Sequence, residues 1–523
     1  MAIGKRGQLI ISTQAAGQDP GDRVEQAQTT GRFSPLELYH PSGFVRNARV
    51  IGSACPNQLL PGPDVNVTED KPADLIIFAP SPRECLSAGW LNANLSSIDQ
   101  RLQPDGIFYG LVPPPWRYPA QTLLRRQGLT DRLPILHLPD RQASRYLVPL
   151  KSAPAHYAFS NLIPTRWWKR SLFLYLLRSD IGEKLISYSL PSAGFFVRRP
   201  GGLPLLDWLF QADCNEPRCG LVVLSANWRT ARGSFVFHVF YANQDPSAVI
   251  KLGWGADHQN SSSGDQSAAT RVQSDAQKSG AQLPKPLWSA QIGHQRAFAE
   301  TCLPGQTVAS ILYQYPEELK SVLERTAGWI EAWNLRTLVY RPVDDEMIAR
   351  QIFRPLAGLF PQEKGWEEYA SWLKNRFSRI NDRMPLVACH NDLTTWNVLL
   401  GGDGQLGVVD WCQAQEEFLP LTDFLYFLLD AVVMTEKLRR DKAFEACFLP
   451  GGEYSSLAKR YIERFVTSLN IPRDMVDLCI HICFLHHAIN ELGSSGSEEE
   501  RSFLIIARQV IASRDRIYRW VNS

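Results

Sequence analysis

The stretch that decides the fold is LVACHNDLTTWNVLLGGDGQLGVVDW, residues 386–411. The apolar run at its start predicts a buried strand, and two further apolar runs on either side of a glycine-rich turn predict a hairpin. Asp392 and Asn397 follow the first strand, and Asp410 ends the last one. We therefore expect two carboxylates and one amide to meet at the ends of neighbouring strands.

This set of side chains suits phosphoryl transfer, because the loose transition state of that reaction leaves the protein mainly to orient the acceptor and neutralise charge. We expect Asp392 to orient and deprotonate an acceptor hydroxyl. Asn397 and Asp410 carry oxygen ligands of the kind that Mg²⁺ prefers. The spacing His-x-Asp-Leu-x-x-x-Asn, which starts at His390, equals that of a kinase catalytic loop. The alternative is that the His-Asn-Asp turn only connects two strands.

A lysine upstream agrees with this interpretation. Residues 248–251 read AVIK and match the strand that brings a lysine, here Lys251, to the nucleotide phosphates in kinases. The expected glycine loop, SANWRTARGSF at 225–235, offers only Gly233 for contacts with the phosphates, where kinases have several glycines. Kinases also pair this lysine with a helix glutamate, but no glutamate occurs between Lys251 and Glu300. The expected acidic partner is therefore Asp275, on a predicted helix.

From about residue 220 to the C-terminus the chain resembles the aminoglycoside phosphotransferase and choline kinase family. The motifs that carry the resemblance are HNDLTTWN at 390–397, GVVDW at 407–411 and EEFLPLTDF at 416–424. The resemblance implies a bilobal protein-kinase-like fold, ATP or GTP and Mg²⁺ as cofactors, and a small-molecule hydroxyl as acceptor. It also implies that His390 and Asp423 support the catalytic loop.

A protein substrate is less compatible with the sequence. Only 13 residues separate Asp410 from the apolar helix that begins at Phe424, and they contain no A-P-E motif. This segment is too short for a peptide-docking activation loop, so we expect a small-molecule acceptor.

The N-terminal part has a different pattern. ADLIIFAP at 73–80 and DGIFYGLV at 105–112 are unbroken apolar runs with a helical segment between them, which predicts parallel strands in an α/β layer. LQPDGIFYGLV at 102–112 resembles the later strands of class I methyltransferases. A glycine-rich first turn is needed to bind S-adenosylmethionine, and RVIGSACP offers only Gly52. We therefore expect a degenerate, non-catalytic Rossmann-like domain that docks a protein partner or shapes the acceptor site.

Together these patterns predict an α+β protein with a bilobal kinase-like fold preceded by a small α/β domain. The expected divisions are a disordered tail at 1–34, the methyltransferase-like domain and a connector at 35–210, a kinase-like N-lobe at 211–310, and a helical C-lobe with the catalytic loop at 311–523.

Composition narrows the possible partners. Lys and Arg number 55 and Asp and Glu 53, so the net charge of +2 gives no field that would hold nucleic acid. The longest apolar stretch, 424–434, is shorter than the ~20 residues that a bilayer span needs. We expect a cytoplasmic protein without a membrane partner. Two alternatives stay open: a catalytically weak or inactive kinase-like scaffold that binds nucleotide, and an active methyltransferase.

Overall fold

The computed structural model describes residues 8–10, 45–55, 65–68, 71–87, 89–129, 131–138, 146–163, 165, 167–198, 221–226, 234–240, 245–253, 266–292, 295–342, 365–380, 384–492 and 502–523. The chain divides into two compact units. The first unit comprises Met1–Phe159, Trp167–Asn260 and Lys285–Cys302, and the second comprises Ser160–Arg166, Ser261–Pro284 and Leu303–Ser523.

One sheet forms the first unit. Its strands in the described part are β1 (Gln8–Ile10), β2 (Asn47–Ile51), β3 (Asn66–Val67), β4 (Ala73–Phe78), β5 (Leu102–Gly110), β6 (Asp131–Leu138), β7 (Tyr146–Pro149), β8 (Ala193–Arg198), β9 (Leu221–Ala226), β10 (Ser234–Phe240), β11 (Ala248–Gly253), β12 (Pro286–Ile292) and β13 (Gln295–Thr301). They lie in the order β1-β12-β13-β11-β10-β9-β7-β6-β8-β5-β4-β2-β3.

Seven α-helices accompany these strands in the described residues. They are α1 (Pro82–Leu86), α2 (Trp90–Leu95), α3 (Ile98–Arg101), α4 (Pro114–Arg126), α5 (Ser152–Tyr157), α6 (Trp167–Leu176) and α7 (Asp180–Ser189).

The parallel α/β layer is present as predicted. Strand β4 pairs in parallel with β2 on one side and β5 on the other. Its residues 75–78 are fully buried, and they alternate between two apolar clusters, with Leu75 and Ile77 in one and Ile76 and Phe78 in the other. Because both faces of the strand are covered, its sequence is apolar without alternation.

The closely spaced strands after residue 220 are antiparallel, as their short connections require. Strand β10 pairs with β9 and β11, and β11 pairs with β13. Strand β9 also pairs with β7, through Tyr146–Ser225 and Leu147–Leu224, so the kinase-like strands continue the sheet of the α/β layer. The division expected at residue 210 lies outside the described residues.

The second unit is mainly helical. Its described helices are α8 (Gln266–Lys278), α9 (Val308–Gln314), α10 (Leu319–Thr337), α11 (Trp366–Phe377), α12 (Thr422–Glu436), α13 (Arg440–Phe448), α14 (Ser455–Ser468), α15 (Arg473–Leu492), α16 (Ser502–Ala512) and α17 (Arg514–Asn522). Its described strands are β14 (Gln306–Thr307), β15 (Val339–Arg341), β16 (Met384–Cys389), β17 (Val398–Leu400), β18 (Leu406–Val408) and β19 (Gln415–Phe418). Helices and sheets together confirm the predicted α+β class.

Helix α12 lies at the centre of this unit. Its residues 422–432 are all buried, and the segment contacts helices α9, α10, α13 and α15. The apolar stretch 424–434 is therefore the core helix of a globular unit. No helix in the described ranges is long and apolar enough to cross a bilayer.

The boundary expected at residue 310 and the tail expected at residues 1–34 both differ from what the structure shows. The boundary at residue 310 falls inside helix α9, and the second unit resumes at Leu303. Within the expected tail, Gln8–Ile10 form a strand parallel to β12, and the rest of residues 1–34 lies outside the described part.

A buried ion pair joins helices α11 and α15. Arg376 donates to both carboxylate oxygens of Asp477, over 3.3 and 2.9 Å, and the side chains are 8% and 0% exposed. Removing one charge from such a pair leaves the other desolvated and uncompensated. By contrast, the pair between Arg473 and Glu463 is largely exposed, 55% and 33%.

We expect Asp477→Asn to lower the free energy of unfolding by about 3–5 kcal/mol, because Arg376 keeps its charge without a counter-ion. The matched control, Glu463→Gln, should cost less than about 1 kcal/mol. Urea unfolding followed by tryptophan fluorescence measures both. Equal effects of the two substitutions would contradict the assigned importance of the buried pair.

Candidate active site

The buried strand β16 delivers the loop that carries the catalytic motif. After Cys389 the backbone N–H groups of His390 and Asn391 donate to the two carboxylate oxygens of Asp423, over 2.7 and 2.9 Å. Asp423 is buried in the first turn of α12, and burial raises its pKa to about 6 although the two hydrogen bonds favour the charged form. This carboxylate thus anchors the start of the loop to the core helix.

The loop has an unusual backbone. Asn391 adopts a φ of 60°, and Leu421, which begins the anchoring helix, adopts a φ of 70°. Such conformations are uncommon for residues other than glycine, and for a bulky leucine they carry strain. Fixed partners such as Asp423 are needed to hold this geometry.

His390 links the loop to the hairpin that follows. Its Nε2 lies 3.0 Å from the carbonyl oxygen of Val409, and its Nδ1 accepts from the backbone N–H of Asp392 over 3.3 Å. A neutral ring with its proton on Nε2 satisfies both contacts. The ring also meets Trp411 edge to face, with centroids 4.7 Å apart. His390 therefore fixes the spacing between the two acidic segments.

Asp392 and Asn397 are in direct contact. The side-chain amide of Asn397 donates to the carbonyl oxygen of Asp392 over 2.8 Å and to its carboxylate over 3.3 Å. Burial raises the pKa of Asp392 to about 8, with further contributions from the charges of Asp410 and Asp430. The site therefore concentrates negative charge. A bound cation would reduce the repulsion between these carboxylates.

Asp410 follows the β17–β18 hairpin. The two strands pair through Val398–Val408 and Leu399–Gly407, and the N–H of Val409 donates to the carbonyl oxygen of Asn397 over 3.0 Å. Asp410 itself has φ 68° and ψ 57°, a left-handed conformation that aspartate tolerates better than most residues. The hairpin thus returns the chain to the catalytic loop, as the sequence predicts.

Asp430 and Arg440 also lie at the site, although neither stands out in the sequence. Asp430, buried on α12, accepts from the backbone N–H of Thr395 over 2.9 Å and also from its hydroxyl. The other oxygen of Asp430 lies 3.8 Å from the guanidinium of Arg440. The only signal was an aspartate within the apolar stretch 424–434.

Lys251 lies in the first unit, on β11. Its ammonium forms an ion pair of 3.0 Å with Glu300 on the neighbouring strand β13. Lys251 stands opposite Phe298, so Glu300 is its diagonal neighbour on the same face of the sheet. Glu300 was not predicted as the partner of Lys251, because kinases pair this lysine with a glutamate on a helix. The alternation in RAFAE, residues 296–300, does place Glu300 on a strand.

Asp275 lies on helix α8 of the second unit, as the sequence predicts for its element. Its carboxylate is 3.6 Å from the ammonium of Lys278, one turn along the helix. A pair between Asp275 and Lys251 stays a prediction, since the two belong to different units. Gly233 lies outside the described residues.

The second unit therefore brings together five of the predicted site residues: His390, Asp392, Asn397, Asp410 and Asp423. Within the described residues no cluster of three or more His, Cys, Asp or Glu side chains has the geometry of a metal site. Asn397 and Asp410 can thus supply an amide and a carboxylate oxygen, but not a complete protein ligand set.

Comparison with known proteins gives matches of two kinds. Residues 258–451 match the family model described as the phosphotransferase enzyme family. No curated protein is a significant match.

Similar solved structures include the streptomycin–ATP ternary complex of APH(2'')-IIa, at 11% identity and a TM-score of 0.35, with 58% of this chain and 95% of that one covered. ADP-bound aminoglycoside phosphotransferase APH(2'')-Ib has 11% identity and a TM-score of 0.37, with 60% and 98% covered. Aminoglycoside phosphotransferase APH(3'')-Id from Streptomyces rimosus has 15% identity and a TM-score of 0.31, with 52% and 93% covered.

The family match includes the catalytic loop and the hairpin, whereas Lys251 and Gly233 precede it. The resemblance of residues 102–112 to the later strands of class I methyltransferases stays a prediction. The match of residues 258–451 to the model of the phosphotransferase enzyme family confirms the resemblance that the motifs carry.

Proposed function

We propose that the protein transfers the γ-phosphoryl group of ATP or GTP to a hydroxyl of a small molecule. The observation that carries this proposal is the contact between Asp392 and Asn397 in a loop whose backbone is anchored by Asp423. A connecting turn has no need of two acids and an amide held at this spacing. Phosphoryl transfer does, because its catalysis is largely positioning and charge stabilisation.

Asp392 is the proposed general base. The hydrogen bond from Asn397 fixes the orientation of its carboxylate, so one oxygen can accept the proton of an acceptor hydroxyl. Burial and neighbouring acids raise its pKa to about 8, so the ionised carboxylate is a stronger base than an ordinary aspartate. A base of this kind aligns the attacking oxygen as much as it deprotonates it.

Asn397 and Asp410 are the proposed Mg²⁺ ligands. One amide and one carboxylate are hard oxygen donors, and Mg²⁺ commonly binds through one or two carboxylates with phosphate oxygens and water completing its shell. The accumulated negative charge that raises the pKa of Asp392 supports this fit. When bound, the ion would neutralise charge on the phosphates. The protein residues would orient the acceptor and keep its proton at Asp392.

Lys251 is the proposed contact to the nucleotide phosphates. Its ion pair with Glu300 on the adjacent strand holds the ammonium in a defined position on β11, which is the role that a helix glutamate has in kinases. Gly233, which immediately precedes β10 in the sequence, and Asp275, on helix α8, remain proposed contributors to nucleotide binding.

A second candidate function is a nucleotide-binding scaffold with weak or no transfer activity. The observation that favours it is that neither candidate acid has the geometry of a kinase's helix glutamate paired with the lysine: Glu300 lies on a strand, and Asp275 is paired with Lys278. Activity measurements on matched variants separate the two functions.

We expect Asp392→Asn to lower phosphoryl transfer by about a hundred- to ten-thousand-fold, because the general base is lost. Binding of Mg·ATP, followed as a rise in the thermal unfolding temperature, should change little. The assay is transfer of labelled phosphate from ATP or GTP to a panel of sugars and amino alcohols. The control is Asp403→Asn, in the exposed turn of the same hairpin.

Undiminished transfer by the Asp392 variant would rule out the proposed base. If neither the parent protein nor the Asp403 control transfers phosphate, while both are stabilised by Mg·ATP, the scaffold function is favoured.

Asp423 is expected to act as a positioning residue. In Asp423→Asn one of the two oxygens becomes an NH₂ group that faces a backbone N–H, so a buried donor at His390 or Asn391 loses its acceptor. We expect a loss of about 1–3 kcal/mol in unfolding free energy and a fall in kcat that exceeds any rise in the KM for nucleotide.

The control for this substitution is Asp474→Asn, at the exposed start of α15. Steady-state kinetics and thermal unfolding measure both variants. If kcat stayed at the level of the control, Asp423 would not position the loop.

A further inference from the structure

Two short helices of the first unit, α6 and α7, expose large apolar side chains to solvent. They are Trp168 (47% exposed), Leu172 (56%), Tyr175 (69%), Ile181 (80%) and Leu185 (54%), and we call this set the apolar face. Five of the fourteen exposed large apolar side chains of the described residues thus lie within 18 consecutive positions. Single exposed apolar residues are ordinary, but such a concentration marks an interaction surface.

The spacing of these residues follows the helix period. Trp168, Leu172 and Tyr175 are four and three residues apart and share one side of α6, and Ile181 and Leu185 do the same on α7.

The opposite sides of both helices are packed. The ring of Phe173 lies 4.5 Å from that of Phe159, and Leu177 and Ile186 are buried. The inner sides of the helices therefore pack against the rest of the first unit. The exposed apolar residues on the outer sides are not part of its core.

The two helices are held closely together. The hydroxyl of Ser179 caps α7 by accepting from the N–H of Gly182 over 3.1 Å. A Cβ atom at Gly182 would come within 1.8 Å of the carbonyl oxygen of Leu176, so only glycine permits this approach. The apolar face is therefore presented by a fixed pair of helices.

Basic residues border the apolar face. Positions 167–189 contain four basic residues, Lys169, Arg170, Arg178 and Lys184, against Asp180 and Glu183. Glu183 is in addition paired with Lys151 over 3.0 Å. The ammonium of Lys169 lies 5.5 Å from the ring centroid of Trp168, at the edge of the apolar face. A partner that binds this surface therefore needs both apolar groups and negative charge.

We propose that the apolar face binds the surface of an anionic lipid bilayer, with α6 and α7 lying in the interface. Leu172, Ile181 and Leu185 would enter the acyl boundary, and Trp168 and Tyr175 would lie at the level of the headgroups, where amphipathic rings are favoured. Lys169 and Lys184 would attract anionic headgroups. A second copy of this chain fits less well, because a two-fold interface would set one cationic border against the other.

The full-length protein is tested by co-sedimentation with vesicles of phosphatidylglycerol or of phosphatidylcholine. We expect binding to phosphatidylglycerol that falls with added salt, and at least tenfold weaker binding to phosphatidylcholine. The triple variant Leu172→Ser/Ile181→Ser/Leu185→Ser should bind the anionic vesicles at least tenfold more weakly, since it removes the inserted apolar area. Lys169→Glu/Lys184→Glu should produce a comparable loss by reversing two charges at the border.

Matched controls keep the test sharp. Val67→Ser/Leu86→Ser/Leu335→Ser removes the same number of exposed apolar side chains elsewhere, and Lys71→Glu/Lys320→Glu makes the same charge change elsewhere. Both should bind like the parent protein, and all variants should keep its thermal unfolding temperature.

The proposal fails if the parent protein does not bind anionic vesicles, or if the face variants bind as well as the controls. Loss of a dimer in light scattering for the triple variant, with no vesicle binding by the parent protein, would assign the face to self-association and overturn the proposal.

Discussion

The geometry of the catalytic loop depends on one buried carboxylate. Asp423 offers its two oxygens to two consecutive backbone N–H groups, and it does so from the first turn of α12, whose residues 422–432 are all buried. A loop that leaves a strand through a left-handed residue would relax without such an anchor. The core of the second unit therefore fixes the positions of the proposed base Asp392 and the proposed metal ligand Asn397.

A second acid on the same helix, Asp430, also holds the loop in position. Asp430 binds Thr395, midway between the proposed base and the proposed metal ligand, and faces Arg440 on the next helix. Carboxylates of α12 thus hold the loop at its start, through His390 and Asn391, and near its middle, through Thr395. Arg440 also offsets part of the negative charge around Asp392, whose pKa it lowers.

The motif and its surroundings could be predicted from sequence because they depend on local order: an apolar strand, a fixed spacing and a tight hairpin. The parallel strands of the N-terminal part were predictable because continuous apolar runs require cover on both faces. Asp430 and Glu300 escaped prediction, since their roles arise from neighbours on other helices and strands. The apolar face escaped it as well, because the segment that carries these two helices also contains buried apolar residues such as Leu177 and Ile186, and the sequence does not show which of the apolar residues are exposed. The expectation of no membrane partner rests only on the lack of a spanning segment, and the proposed bilayer surface departs from it.

The pairing of β7 with β9 has a consequence for self-association. The two strands share a row of backbone hydrogen bonds, and each has a second neighbour, β6 for β7 and β10 for β9, so neither is an edge of the sheet. Separating them would uncover strand edges that readily recruit other chains. This pairing therefore protects both parts of the sheet from edge-to-edge aggregation.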